Sequence, residues 1–254
     1  MHVKPVHLCW FFFVNFMAKK IFIGLGIVGA VLFILLVIAR FTGMLLFYKI
    51  PTPSNEPTIK VGDWVYTTNL KEPASYNFIA FTSTYVDSIS SDYSPAGSIY
   101  LQRLCGVAGD VMEMRNGKLY VNNKNFDAEL NLNNQYKVTN TEFYSIDEED
   151  MNSGAAYGGM YMISNDTGIV TFDNALLKKY RSKINLVPFI MTDGANGCFA
   201  WYAKNPGWTP DNFGPLKIPA GCYFVLGDNR HNALDSRYFG FVKKENIKGV
   251  ALNK

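Results

Sequence analysis

Residues 50–63 read Ile50-Pro51-Thr52-Pro53-Ser54-Asn55-Glu56-Pro57-Thr58-Ile59-Lys60-Val61-Gly62-Asp63, and the rest of the chain is organised around them. Proline fixes its own φ and pushes the preceding residue toward extended geometry. Pro51, Pro53 and Pro57 therefore hold Ser54 on a stiff, non-helical segment, which is the positioning that a catalytic nucleophile requires. Taken alone, the stretch is equally typical of a linker between a membrane anchor and a domain.

An apolar segment lies about ten residues before this stretch. Residues 21–39 carry no charge, and as a helix they would span roughly 28 Å, about the thickness of the bilayer hydrocarbon. We predict a single transmembrane anchor over residues 21–39. A cleaved signal peptide is the alternative, but its apolar region would be about 7–15 residues long and would end at a small-residue cleavage site.

Residues 1–20 are predicted to be a short N-terminal segment. Its apolar patch, from Leu8 to Val14, is too short to cross a bilayer. Met17 is followed at once by two lysines and the anchor. We therefore expect the natural start of translation to be Met17.

Composition excludes several classes of protein. The formal net charge of the 254 residues is +3, which is too small to indicate nucleic-acid binding. Four cysteines occur without a Cys-x-x-Cys pair, so neither a dense disulfide framework nor a zinc site is predicted. One disulfide, such as Cys198 with Cys222, stays open. We expect no metal and no cofactor.

From Gly62 onward the sequence is typical of β-strands. Short β-branched or aromatic runs begin at Trp64, Phe78, Ile99, Val111 and Lys118, and turn residues separate them. The last two runs flank Asn116-Gly117, which is the strongest short signal for a β-hairpin. Three aspartates that follow glycines are predicted to be turn residues: Asp63, Asp110 and Asp228.

Residues 127–215 differ from this pattern. They are rich in Asn, Gly and Tyr, with one short helix predicted from Asp173-Asn174 to Arg181. We predict an inserted subdomain here, between two parts of a β core at residues 40–126 and 216–254. Strand-like texture returns at Cys222–Leu226 and, after a turn-rich loop, at Tyr238–Val242.

Three stretches together resemble the motifs of type I signal peptidases, which are membrane-bound serine endopeptidases with a Ser/Lys dyad. Residues 51–63 are similar to the family's Pro-Ser-x-Ser-Met-x-Pro-Thr-Leu-x-x-Gly-Asp. Residues 100–110, Tyr-Leu-Gln-Arg-Leu-Cys-Gly-Val-Ala-Gly-Asp, resemble Tyr-Ile-Lys-Arg-x-x-Gly-x-Pro-Gly-Asp. Residues 227–240, Gly-Asp-Asn-Arg-His-Asn-Ala-Leu-Asp-Ser-Arg-Tyr-Phe-Gly, resemble Gly-Asp-Asn-Arg-x-Asn-Ser-x-Asp-Ser-Arg-x-x-Gly. The third motif is long and highly specific, and the resemblance extends over about residues 20–250.

The resemblance implies a catalytic mechanism in which Ser54 is the nucleophile. The backbone N–H of Ser54 and the hydroxyl of Thr52 would form the oxyanion hole. In this family a neutral lysine takes the serine proton, which requires burial to lower the pKa of its amine. Asp235 and Arg237 would form an ion pair that supports the site, together with Arg103.

The resemblance also implies how substrate binds. An extended substrate pairs with strand edges, and shallow pockets select small residues in an Ala-x-Ala pattern. Ile59, Tyr100 and Leu101 match positions that line these pockets, although they are equally typical of core residues. Asn55 replaces the methionine beside the nucleophile. No histidine is required, and the main domain contains only His231.

Two positions depart from the motifs in a way that affects catalysis. Gln102 stands at the position of the base lysine, and a glutamine amide does not accept a proton near neutral pH. Ala233 stands where a serine hydroxyl would help to orient that lysine. Both changes predict weak or lost activity. A substitute base from His231, Lys60 or Lys71 stays open.

The resemblance implies a mostly β domain behind a transmembrane helix, in a protein that cleaves signal peptides from exported preproteins. The implied location is the bacterial inner (cytoplasmic) membrane, crossed once, with the main domain on the outer side. The implied partners are membrane lipid and preproteins with Ala-x-Ala-like ends, and no nucleic acid. The alternative is a pseudoenzyme: a membrane-anchored, inactive paralogue that binds extended small-residue peptides or scaffolds an active peptidase.

Overall fold

The computed structural model describes residues 6–89, 97–152, 160–193, 200–201 and 204–254, with side chains from Met17 onward except those of Ile89 and Asn152. It contains two compact units, one ending at Leu46 and one running from Phe47 to Lys254. The second unit is mostly β, as the sequence predicts.

The elements follow one another along the chain with these bounds. The strands are β1 (Leu46–Lys49), β2 (Trp64–Thr68), β3 (Phe78–Thr82), β4 (Ile99–Gly106), β5 (Val111–Arg115), β6 (Lys118–Val121), β7 (Lys124–Asn125), β8 (Asn134–Thr139), β9 (Tyr161–Met162), β10 (Thr167–Phe172), β11 (Val187–Pro188), β12 (Phe213–Lys217), β13 (Cys222–Leu226), β14 (Val242–Lys243) and β15 (Ile247–Ala251). The helices are α1 (Val6–Phe41), α2 (Thr84–Ile89), α3 (Asn140–Phe143), α4 (Glu148–Asn152), α5 (Asn174–Tyr180) and α6 (Ser236–Phe239), and short 3-10 helices cover Pro53–Asn55, Phe126–Glu129 and Lys244–Asn246.

Helix α1 contains the predicted anchor. Its part from Met17 to Phe41 is 25 residues long with a mean hydropathy of 3.1, which is long and apolar enough to cross a membrane. The helix is continuous from Val6, so residues 6–20 are not a separate segment in the backbone. It ends where Thr42 donates its hydroxyl to the carbonyl of Ile38 at 2.8 Å and Gly43 takes a φ of 76°, a conformation that glycine adopts readily.

A seven-stranded sheet forms the core, in the order β1-β2-β15-β3-β4-β13-β14. The strands predicted at Trp64, Phe78, Ile99 and Cys222 all belong to it. Strand β3 pairs with β4 along its whole length, from Phe78↔Arg103 to Thr82↔Ile99. Strand β13 reaches only as far as Leu226↔Arg103 on the other side of β4. Residues 99–102 therefore have one edge that no strand in the described part of the chain pairs with.

A second sheet has four strands in the order β12-β5-β6-β7. The predicted Asn116-Gly117 hairpin joins β5 to β6, with Arg115 opposite Lys118. Both turn residues have positive φ, 49° and 74°, as the favoured two-residue hairpin turn requires. Strand β12 begins before residue 215, so the predicted end of the insertion falls inside a strand that pairs with β5.

A third sheet, β11-β8-β10-β9, lies wholly within the region predicted as an insertion, and we call it the insert sheet. It has its own apolar cluster, which includes Val138, Phe143, Val170 and Phe172. The predicted helix is present as α5, and the side chain of Asp173 caps it by accepting the N–H groups of residues 175 and 176. The assignment of 127–215 as a subdomain stays a prediction that this separate core supports.

One predicted strand is wrong. Residues 238–242 were expected to be strand-like, but α6 occupies Ser236–Phe239 and β14 is only two residues long. The reason is local. The carboxylate of Asp235 accepts the N–H of Arg237 and begins a helical turn, and Gly240 ends it with a φ of 83°.

Candidate active site

A groove of about 800 Å³ lies beside Ser54. One wall is formed by residues 47–52, and the other by residues 98–102, which include the unpaired edge of β4. Of the residues predicted to act in the site, Ser54, Thr52, Tyr100, Leu101 and Gln102 line this groove. The fold therefore brings the first and second motifs together across one concave surface.

Ser54 lies in the 3-10 helix Pro53–Asn55, and the third motif forms hydrogen bonds to the backbone of this helix. The N–H of Asn229 donates to the Ser54 carbonyl at 3.0 Å, and the Asn229 amide donates to the Pro53 carbonyl at 3.2 Å. Thr52 precedes the turn with extended backbone, φ −128° and ψ 152°. The position of Ser54 is thus fixed by its own prolines and by residue 229.

Thr52 and Ser54 present their hydroxyls side by side. The two Oγ atoms are 3.3 Å apart, with either able to donate. In the part of the chain that the structure describes, Thr52 is the only hydrogen-bond partner of the Ser54 hydroxyl. This is the arrangement expected of a nucleophile and an oxyanion donor, and both roles stay predictions.

Asn55 links the nucleophile turn to the groove's opposite wall. Its side chain is buried, and its amide donates to the Leu101 carbonyl at 2.7 Å. The motif has methionine at this position, which could not make this bond. The sequence showed the substitution but not its partner, because residue 101 is 46 positions away.

Gln102 is 5% exposed, so its amide is buried beside the groove. Its Nε2 donates to the Leu234 carbonyl at 3.2 Å. Its Oε1 is buried and has no hydrogen-bond partner within the described residues. The side chain thus ties β4 to the third motif, in the place where the motif expects a base.

Gly227 marks the point where the three motifs meet. A Cβ at this residue would collide with the Ala233 Cβ and the Ser54 carbonyl, and would lie 2.9 Å from the Gln102 Oε1. Only glycine fits there. It follows that Ser54, Gln102 and Ala233, which the resemblance groups into one site, are neighbours in the fold.

None of the three proposed substitute bases lines the groove. His231 is turned away: its Nε2 lies 3.2 Å from Asp211 Oδ2, and its Nδ1 accepts the N–H of Gln135 at 3.4 Å. Lys60 and Lys71 are exposed side chains. Lys49 does line the groove, and it is also exposed, so its amine lacks the desolvation that a lysine base needs.

Arg103 and Asp228 form a buried ion pair that joins all three motifs. The guanidinium contacts both carboxylate oxygens, at 2.7 and 2.6 Å. Thr58 donates its hydroxyl to the same carboxylate at 2.5 Å. Asp228 lies at a bend after β13, which agrees with the prediction of a turn residue, and its carboxylate also binds a partner 125 residues away.

Asp235 and Arg237 form the predicted ion pair, with Arg237 Nε 2.9 Å from Asp235 Oδ1. Both side chains are completely buried, and Arg237 also donates to the carbonyl of Arg230. Burial by itself would lower the pKa of the guanidinium, but the charges of Asp235, Tyr238 and Asp211 and the hydrogen bond to Asp235 together raise that pKa above its ordinary value. Asp235 Oδ2 accepts the N–H of Gly227 at 3.2 Å, so the pair holds the third motif in shape.

The predicted pocket residues divide into two groups. Tyr100 and Leu101 line the groove, and the Tyr100 hydroxyl donates to Asp87 at 2.7 Å. Ile59 does not fit the pocket role, because its side chain has no exposed surface and packs in the core with Val65 and Phe78. The sequence left both interpretations open for Ile59, and the core interpretation is the one that applies.

The described residues include no group of three or more His, Cys, Asp or Glu side chains that could hold a metal ion. Cys105 is buried, Cys222 is partly exposed, and neither is in a disulfide. Cys198 lies outside the described residues. Burial raises the pKa of the Cys105 thiol above its ordinary range, so this cysteine is an inert core residue.

Comparison with known proteins gives a consistent family. Residues 23–253 match the model of the family described as signal peptidase, peptidase S26. Signal peptidase I of Buchnera aphidicola subsp. Schizaphis graminum is 27% identical over 219 residues, which are 80% of this chain and 65% of that relative. Signal peptidase I of Aquifex aeolicus is 28% identical over 255 residues, with 92% of this chain and 82% of the relative covered.

A crystal structure of a signal peptidase I from Enterococcus faecalis V583 covers 71% of this chain and 97% of its own, with 24% identity and a TM-score of 0.32. That score is too low to carry an argument. The assignment stands on the family model, which covers most of the chain, and on the similar sequences. The chain belongs to the signal peptidase family, peptidase S26.

Proposed function

We propose that this protein is a membrane-anchored signal peptidase of type I that cleaves signal peptides slowly, with Ser54 as the nucleophile. The observation that carries the proposal is that Ser54, Thr52 and the unpaired edge of β4 share one groove of about 800 Å³. The chain spans 65% of the length of its Buchnera relative. The activity, substrate and partners are therefore proposed from the groove itself.

The substrate is the end of a signal peptide in extended conformation. Its backbone pairs with the free edge of residues 99–102, as an added strand does. Tyr100 and Leu101 line the groove along that edge, where they favour small residues in an Ala-x-Ala pattern. The preprotein is thus the main partner.

Ser54 Oγ attacks the scissile carbonyl carbon, and the carbonyl oxygen becomes an oxyanion. The hydroxyl of Thr52 and the N–H of Ser54 donate to that oxyanion. The N–H of Ser54 lies in the first turn of a 3-10 helix, where backbone N–H groups have no acceptor within the helix. These donors stabilise the transition state without help from a base.

Among the described residues that line the groove, none is a buried base that could receive the serine proton. The amide of Gln102 donates and accepts hydrogen bonds but does not take up a proton near neutral pH. The proton passes to water in the groove or to the leaving amine. Loss of a general base typically slows a reaction by ~10²–10⁴, and an oxyanion hole with positioned binding still gives ~10³–10⁴ over water.

A second candidate function is binding without cleavage. The specific observation in its favour is that Gln102 is held by Leu234 with Ala233 beside it. In that case the protein captures extended small-residue peptides or scaffolds an active paralogue.

A cleavage assay separates the two candidates. The full-length protein in detergent is incubated with a signal-peptide substrate, and cleavage is followed by mass spectrometry. We expect slow cleavage after the Ala-x-Ala end, lost in Ser54→Ala and kept in Ser145→Ala, a surface control. Equal cleavage by Ser54→Ala would contradict the nucleophile assignment. If wild type and Ser54→Ala both bind the peptide and neither cleaves it, the second candidate function, binding without cleavage, is favoured.

The proposal includes a location. Helix α1 crosses the cytoplasmic membrane once, in contact with lipid, and the second unit lies on the outer, periplasmic or extracellular, side. Proteinase K added to intact spheroplasts should then degrade the β unit. Protection until the cells are lysed would contradict this orientation.

A further inference from the structure

A second cavity, of about 300 Å³, shares no lining residue with the groove. Its walls come from β8 and the start of α5 on one side and from the β5–β6 hairpin on the other. Residues 188–190, His231 and the segment from Asn125 to Leu132 also contribute to the lining. The cavity thus lies at the insert sheet, away from Ser54.

Gln135 in β8 is a largely buried residue, 6% exposed, whose side chain lines this cavity. Its backbone is satisfied, because its N–H donates to His231 and its carbonyl accepts the N–H of Phe189 at 2.9 Å. Its side-chain amide makes no hydrogen bond within the described residues. The amide is therefore available to a ligand group in the cavity, both as a donor and as an acceptor.

The remaining polar groups define what that ligand carries. Asp127 is not available to a ligand, because both of its carboxylate oxygens accept hydrogen bonds from Arg230, at 2.8 and 2.7 Å. The amide of Asn134 and the ammonium of Lys118 also line the cavity and have no partner within the described residues. The amide of Asn116 and the hydroxyl of Tyr136 line the cavity in the same way, so a ligand meets several amides, one hydroxyl and one cation.

The two main strands that line the cavity, β8 and β6, do not favour an extended peptide. Strand β8 is paired by β10 and β11, and β6 by β5 and β7, so neither offers the free edge that strand addition requires. Pro188 in the short strand β11 lines the cavity and has no N–H to donate. Apolar surface is present too, from Phe189, whose ring meets His231 edge-on at 5.4 Å between centroids.

We propose that this cavity binds one sugar ring of a neutral or acidic saccharide. Each sugar hydroxyl both donates and accepts, as the amides of Gln135 and Asn134 do. The C–H face of the ring packs against Phe189. The volume is at the lower end of the range for ligand pockets, about 300–1,000 Å³, which suits a single ring. The cavity offers the ammonium of Lys118, and its lining carboxylate, Asp127, is already paired with Arg230. An anionic ring is therefore favoured over a cationic one.

The test uses full-length protein in detergent, titrated separately with glucuronic acid, glucose and glucosamine and followed by saturation-transfer NMR. We expect saturable binding of glucuronic acid, weaker binding of glucose and the weakest of glucosamine. Gln135→Leu should weaken glucuronic acid binding about tenfold or more, the size expected when a buried polar partner is lost. Ser54→Ala should not change it.

Lys118→Met provides an independent arm, because this exposed side chain is not needed for folding. It should abolish the preference for glucuronic acid over glucose and leave glucose binding unchanged. The proposal is overturned if none of the three sugars saturates, or if the preference survives in Lys118→Met. It is also overturned if an Ala-x-Ala peptide displaces glucuronic acid.

Discussion

At the scale of single residues, the proposed chemistry depends on position 102. The Gln102 amide stands where the motif has a base, and its N–H₂ group donates to Leu234, while its oxygen is buried without a partner in the described part of the chain. A lysine side chain extends one bond further from the same strand position. In this buried setting desolvation would lower the pKa of its amine, as base catalysis requires.

Asp211 is a buried residue outside the groove whose protonation has a measurable consequence. Burial by itself would raise the pKa of its carboxyl, but the hydrogen bond from His231 and the charges of His231 and Arg237 hold that pKa below its usual value. The unfolded chain then binds a proton before the folded one as the pH falls. Asp211 therefore contributes stability above about pH 4 that is lost as the pH drops through its folded-state pKa.

The prediction is that the stability difference between wild type and Asp211→Asn narrows between pH 7 and pH 3. Urea unfolding of the full-length protein in detergent, followed at several pH values, measures it. Glu245→Gln, at an exposed site, is the matched control and should keep the wild-type pH dependence. If the difference in unfolding free energy between wild type and Asp211→Asn stays constant down to pH 3, Asp211 does not contribute to the loss of stability in acid.

At the scale of elements, the Arg103–Asp228 pair is the link between the three motifs. It connects β4 to the loop after β13, and Thr58 adds the segment after the nucleophile. Its charges are almost fully buried, with exposed fractions of 9% and 1% for the two side chains. Removing one partner leaves the other as an uncompensated buried charge.

We expect Arg103→Met to lower the free energy of unfolding by about 3–5 kcal/mol, and Arg103→Met with Asp228→Leu to recover part of that loss. Arg115→Met is the matched control, because its pair with Glu113 is exposed at 44% and 27% and should be worth about 1 kcal/mol or less. Chemical denaturation checks all three. Equal losses for Arg103→Met and Arg115→Met would contradict the role given to the buried pair.

Local elements were predictable where their signals are local. The Asn116-Gly117 hairpin, the capped helix after Asp173 and the Asp235–Arg237 pair all involve residues close together in the sequence. The helical turn after Asp235 also depends on residues close together in the sequence. Its aromatic residues are typical of strands, however, and led to the wrong prediction. Pairings such as Asn55 with Leu101 were not accessible, because nothing near Asn55 specifies what lies 46 residues away.

At the scale of the whole molecule, the chain combines an apolar helix, a β core with one groove, and an insert sheet with its own apolar cluster. The motifs predicted the groove because three of them converge on Ser54. They said nothing about the cavity at Gln135, since its lining comes from residues spread from 116 to 231. The groove is the place where we propose that peptides are cleaved.

The most direct measurement is the kcat/KM for signal-peptide cleavage of wild type against the double variant Gln102→Lys, Ala233→Ser. If Ser54 is a positioned nucleophile that lacks only its base, the double variant should be faster by ~10²–10⁴, and adding Ser54→Ala should remove the gain. Unfolding midpoints would verify that each variant is folded. The account would be contradicted if the double variant were folded and its kcat/KM were no higher than that of wild type.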